Sequence, residues 1–358
     1  MSPTEFRRMT VCRTRRLLAV WLVVVVCCAN RLPSPSSAAD LSEAAAERRL
    51  RDEYRLVRVG ASPIWKSPLY DLLRERHAEL PELRKAIIAT QRQLDTRIAE
   101  NAQTWPVYER RMKETRAALA KLNTDDPQRL ALQQQLRSLQ RTAAPPNAVG
   151  RLADVRVAAI ELSNAIVGLH LSIRWIRLQT RELMTQYETL RIDPRMREAL
   201  AALGKEARLA SPQTLVDSLA DLAEYDELLA NQATPLYMLG DAVRFVALAN
   251  ETTPITLTLD EKSPGLVLTA SHATAAGVTL DAASPPRRIR IGNETLEARP
   301  ARLDYLLIGR HLARDVPILV LAPEREDIGT RLHRSALPGF QLQVDRQRLR
   351  VELSPASM

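Results

Sequence analysis

The apolar pattern of this chain changes period once. From residue 68 to about 232, apolar positions recur at three- and four-residue steps, the spacing of one helix face. Leu80, Leu83, Ile87, Leu94 and Ile98 form the first stripe, which drifts on through Trp105, Tyr108, Met112, Leu119 and Leu122. Asp125-Asp126-Pro127 interrupts it, and a shorter helix carries Leu130, Leu132, Leu136 and Leu139 as far as the break at Pro145-Pro146. The next helix has the strongest pattern. Alternating steps of three and four visit Leu152, Val155, Ala159, Leu162, Ile166, Leu169, Ile173, Ile176, Thr180, Leu183, Tyr187 and Leu190. Only Thr180 breaks the apolar run, and a seam so sustained needs a partner helix. The first long segment is the natural partner, giving an antiparallel hairpin; an intermolecular coiled coil is the alternative. After Asp193-Pro194, a helix opening at Ser211-Pro212 presents Leu215, Leu219, Leu222 and Leu229.

From Asp241 the period becomes two. Arg244–Leu248 alternates, as do Ile255, Leu257 and Leu259 after a turn at Asn250-Glu251. Short strands follow at Leu266–Thr269, Arg288–Ile291, Leu303–Ile308, Pro317–Leu321, Phe340–Val344 and Leu349–Leu353. Turns at Gly292-Asn293, Gly309-Arg310 and Asp345-Arg346 separate several of them. The pattern predicts an α+β chain: a helical coiled-coil or hairpin region over 68–232, then a small, mainly antiparallel β domain over 241–354. Residues 40–67 form an N-terminal segment of no clear period.

Composition narrows the function classes. Aromatic residues are only 4% of the chain, so its helices pack through Leu, Ala and Val. The net charge of +9 is unevenly spread: residues 1–39 hold six Arg and one Glu, and the rest hold 45 basic against 41 acidic side chains. A nucleic-acid partner is therefore not expected. The mixed charges of Arg110-Arg111-Met112-Lys113-Glu114 suit a solvated helix exterior.

The N-terminus has the three parts of an export signal. Arg7, Arg8, Arg13, Arg15 and Arg16 precede an apolar run of 13 residues, Leu17–Ala29, and Ser37 and Ala39 suit cleavage before Asp40. A bilayer span takes about 20 apolar residues, so an uncleaved anchor is the less favoured alternative and the only expected membrane contact. Residues 1–39 are accordingly read as a signal peptide and the mature protein as exported, to a bacterial periplasm. All three cysteines, Cys12, Cys27 and Cys28, fall in this segment, so the mature chain has no disulfide or thiolate chemistry. The five histidines, His77, His170, His272, His311 and His333, show no metal-ligand spacing. His170 flanks Leu169 on the seam helix, and a packing or rim position is expected for it. With 11 Gly and no phosphate-binding loop, neither a cofactor nor a metal is expected.

The strand half has the order of features of a retropepsin-like (retroviral-type) aspartic peptidase domain, which it resembles over about residues 241–354. Ile255–Asp260 stands where that family's strand ends in Asp-Thr-Gly, followed by the apolar Leu266–Thr269 and a short helix ending near Gly277-Val278. Ile289–Asn293 takes the place of the flap hairpin, with Gly292 and Asn293 at its tip. Asp304–Gly309, Asp315–Val320, Phe340–Asp345 and Leu349–Leu353 resemble the remaining hairpin and closing strands. The resemblance implies a barrel, a peptide groove, and a catalytic Asp260 paired with its copy in a second chain. Two such carboxylates work by sharing one proton. Here, however, Thr and Gly of the motif are replaced by Glu261 and Lys262. Glu261 adds like charge, and Lys262 supplies a cation that could pair with Asp260. The second family motif survives only as Asp327-Ile328-Gly329, followed by Arg331, His333 and Arg334.

The expectation is a non-catalytic peptidase-like domain that holds another protein or an extended peptide, with the helical region binding a partner protein or a second copy. The alternatives are an active homodimeric endopeptidase using Asp260, and an unrelated β domain that shares only the hairpin spacing. In the last case Asp260 is simply a strand-ending turn residue.

Overall fold

The computed structural model describes residues 41–280 and 285–355; the segment read as a signal peptide lies outside them. The first elements are a short helix α1 (Glu43–Arg48), a π-helical turn (Arg49–Glu53) and strands β1 (Val57–Arg58) and β2 (Ile64–Lys66). Ser67 caps the helix that follows, its Oγ accepting from Leu69 N, with Pro68 in the first turn. This helix, α2 (Pro68–Lys121), runs 54 residues and continues through Pro81 and Pro106. Next come α3 (Gln128–Thr142), α4 (Ala153–Ile192), α5 (Pro194–Ala202), β3 (Arg208–Leu209) and α6 (Gln213–Ala230).

α2 and α4 run antiparallel within one chain. Ser67 N donates to Tyr187 Oη at 3.0 Å. The Arg76 guanidinium lies 6.0 Å from the Trp175 ring centre. Arg97 Nε is 3.6 Å from Asp154. Position thus rises on one helix as it falls on the other. All twelve positions of the α4 seam are buried. They are not all spent on a helix partner: α4 also packs on α6 and on the strands β4 (Thr234–Leu239) and β5 (Ala242–Ala249). One continuous apolar core runs from Leu73 and Leu80 of α2 to Leu342 and Leu353 near the C-terminus. A separate small core of Leu50, Leu56, Trp65, Leu190, Met196 and Ala199 fastens residues 41–66 to the junction of α4 and α5.

The remaining strands are β6 (Thr253–Leu259), β7 (Leu266–Leu268), β8 (Arg287–Ile291), β9 (Glu294–Ile308), β10 (His311–Leu321), β11 (Arg331–Leu332), β12 (Phe340–Asp345) and β13 (Arg350–Pro355). Helix α7 (Ala270–Ala275) follows β7, and a 3-10 turn (Pro323–Ile328) precedes β11. Pairing is continuous through β5-β6-β11-β7-β10-β9, and β9 returns to β5 by Leu248↔Leu307 and Ala249↔Leu306. These six strands close a barrel. The other half of the same β5 edge pairs with β4, which carries β13 and then β12.

One feature departs from the sequence reading. The strands of the second half begin at Thr234, ahead of Asp241: Thr234–Leu239 packs against α4 and is buried on both faces, while the short β1, β2 and β3 pair in a sheet of their own. The pairing is mainly antiparallel; two strand pairs of the barrel, β10–β7 and β11–β6, are parallel. β11 is only two residues long, too short for its period to be seen, yet it joins β6 to β7 and completes the ring.

Candidate functional site

β6 delivers Asp260 to the end of the barrel, and a tight turn takes the chain away from it. Asp260 N donates to Leu332 O at 3.0 Å, fixing the residue against β11, and Asp260 O accepts from Ser263 N at 3.1 Å. The carboxylate closes the turn in the manner common to aspartates at strand ends: Oδ1 accepts from the backbone N of Lys262 at 2.9 Å. Oδ2 accepts from Arg331 Nη1 at 2.7 Å. The Asp260 side chain is 16% exposed and that of Arg331 28%, so this charge-assisted bond is largely screened from solvent. Arg331 is held in turn, its Nε donating to Ile328 O at 3.2 Å. Glu261 is exposed and pairs with Arg334. Ser263, which is buried, donates to Gly265 O at 3.0 Å.

The sequence offers Lys262 as a cation that could pair with Asp260. In the structure the cation is Arg331, and Lys262 contributes only its backbone N–H. A side chain two residues on in a tight turn points away from the carboxylate that its own amide caps, whereas β11 runs alongside β6 and presents Arg331 to it. Glu261 likewise turns from Asp260 to Arg334.

Gly292 and Asn293 form the tip of the β8–β9 hairpin as expected, Gly292 with φ +61°. No hydrogen bond or ion pair among the described residues joins this tip to the Asp260 turn. The hairpin packs Ile289, Ile291 and Leu296 on Val267 and Leu321, with Ile328 against them, and Glu294 beside the tip pairs with Arg325. The groove that borders the Asp260 turn, with a volume of about 810 Å³, is lined instead by Pro264, Gly265, Leu266, Ser335 and Ala336, with Arg287 at the foot of β8.

A second polar group ties α7 to the 3-10 turn. His272 Nδ1 lies 2.8 Å from Thr330 Oγ1 and 3.0 Å from Thr269 Oγ1, both threonines being buried. Burial holds the His272 pKa below its ordinary value against the opposing pull of Glu326. Glu326 accepts from Ser271 Oγ at 2.7 Å and Ser271 N at 2.9 Å, and the hydroxyl bond foremost lowers its pKa. The remnant Asp327 pairs with Arg325, whose hydrogen bond holds its carboxyl below the usual range. Ser271 points to Glu326 and not to His272, and the two threonine hydroxyls that His272 meets are buried. The cluster fixes the segment that carries Arg331. Among the described residues, no three His, Cys, Asp or Glu side chains gather as metal ligands would.

An aspartic peptidase sets two carboxylates about 3 Å apart so that they share a proton. The Asp260 carboxylate instead accepts from an arginine and a backbone amide.

Comparison with known proteins adds little to this geometry. No protein-family model matches the chain, and no curated protein matches it. Among solved structures, a retropepsin-like aspartic protease from Rickettsia conorii is similar, with 18% identity and a TM-score of 0.27, over 35% of this chain and 91% of that one.

Proposed function

We propose that the chain is an exported, non-catalytic module: a retropepsin-like barrel that holds an extended peptide without cutting it, carried on a helical hairpin that docks a partner protein. The observation that supports the missing catalysis is the double engagement of the Asp260 carboxylate by Arg331 and Lys262 N. The retropepsin-like reading draws on the order of strands around β6, Asp260 and β7 and on closure by β5–β9. Peptide binding draws on the groove beside the Asp260 turn, whose glycine, proline and alanine lining leaves backbone groups within reach of an extended chain. Export draws on residues 1–39 alone.

Peptide binding is tested by screening an extended-peptide library against the wild type and Ser335→Trp, which fills the groove from an exposed position. Retention of peptides by the wild type and their loss in the variant is the expected result. Equal retention by both, or none by either, contradicts the groove assignment.

A further inference from the structure

The seam between α4, α6 and the barrel holds a cavity of about 20 Å³, the room one oxygen-sized group needs. Its walls are mostly apolar, among them Ile166, Leu229, Leu248 and Leu307, with Ser163 and Gln232 also on the lining. Two polar atoms face it with no hydrogen-bond partner among the described residues: His170 Nε2 and Thr234 Oγ1. Thr234 is only 5% exposed, and an unpaired buried hydroxyl costs about 1–3 kcal/mol, so a buried pair of this kind calls for an occupant. The chain keeps the space open at Gly309: a Cβ there would come 2.9 Å from Thr234 Oγ1.

The cavity does not stand alone. His170, Leu229, Leu248 and Leu307 also wall a larger open cavity of about 420 Å³, whose mouth carries Arg174, Arg177 and Arg181. Arg174 pairs with Glu251 and Arg177 with Asp226, while Arg181 has no ion-pair partner among the described residues. Helical side chains lean toward the N-terminus, so these arginines lean toward His170. Three cations against two carboxylates leave one positive charge at the mouth.

We propose that this seam binds a small amphiphilic monoanion: a carboxylate at Arg181, a short apolar body on Leu229, Leu248 and Leu307, and a neutral oxygen at Thr234 and His170. Burial lowers the His170 pKa, with Asp226 opposing, so the imidazole is neutral and suits a hydroxyl or carbonyl group. From His170 to Arg181 the helix rises about 16 Å, and the Arg181 side chain leans back by roughly one turn, which leaves about 11 Å, roughly the length of an eight-carbon chain with its two polar ends.

Calorimetric titration of the wild-type protein with 8-hydroxyoctanoate, octanoate and 1,8-octanediol tests this. The hydroxy acid should bind saturably, and each of the other two should bind roughly tenfold more weakly, having lost one polar contact. Thr234→Val should reduce the hydroxy acid to the affinity of octanoate, and Arg181→Gln should reduce it to that of the diol. Equal affinity for octanoate and the hydroxy acid, or no saturable binding of any probe, overturns the proposal, and a trapped water is then the occupant of the small cavity. The wild-type series decides the matter even if a variant fails to fold.

Discussion

At the residue scale, several polar side chains act as clamps between distant segments. Asn101 is buried on α2 and bonds Ala144 twice: Nδ2 donates to Ala144 O at 2.8 Å, and Oδ1 accepts from Ala144 N at 3.1 Å. Asn101→Leu leaves both backbone groups buried and unpaired, and should lower stability by about 2–4 kcal/mol in urea unfolding. Asn250 clamps the barrel closure, accepting from Tyr305 N at 3.1 Å and donating to Ala276 O at 2.6 Å. Its φ of +47° is one that asparagine tolerates. Tyr54 donates to Asp193 Oδ2 at 2.8 Å, while Asp193 Oδ1 caps α5 by accepting from Arg195 N. Burial first, then Asp193, push the Tyr54 pKa up to about 12. A raised acid stabilises the fold fully below its unfolded value, and that contribution is lost between about pH 10 and 12. Burial of Asp193 is outweighed by its bonds from Tyr54 and the α5 amides, so its pKa is lowered. Its contribution is present above the ordinary value and is lost as the pH falls through the depressed one. Tyr54→Phe should therefore flatten the stability–pH curve at both ends; a curve that still matches the wild type contradicts the clamp.

At the element scale, the seam helix was legible because its period is long and unbroken. All twelve seam positions are buried, but what covers them was not legible. Period reports which face is covered and says nothing of by what, and α4 divides its face among α2, α6 and β4–β5. Ile173, 3% exposed, lies in this shared core, and Ile173→Ala should cost about 2–4 kcal/mol. Because the core is continuous from the helices into the barrel, this variant and the wild type should each unfold in one calorimetric transition whose calorimetric and van't Hoff enthalpies agree. Separate transitions would show that the two halves unfold independently. In the barrel, the longer strands were legible from alternation, whereas β11 has too few residues to alternate. Asp260 as a strand-ending turn residue was visible from its place after Leu259. Its partner was not, because Arg331 lies 71 positions away and meets it only through the parallel pairing of β11 with β6.

At the scale of the whole molecule, six strands close a barrel, and the Asp260 carboxylate at its end is engaged from within by Arg331 and a backbone amide. The order of strands made the retropepsin-like reading possible from sequence, and the altered Glu261 and Lys262 pointed to lost chemistry. Arg331, and not Lys262, meets the carboxylate, so Glu261→Thr combined with Lys262→Gly should give no cleavage while the arginine stays. The most direct test is a peptide-library digest between pH 3 and 7 with the wild type and Asp260→Ala. Cleavage should be absent in both. Cleavage by the wild type that disappears in Asp260→Ala would contradict it and establish a working aspartic peptidase.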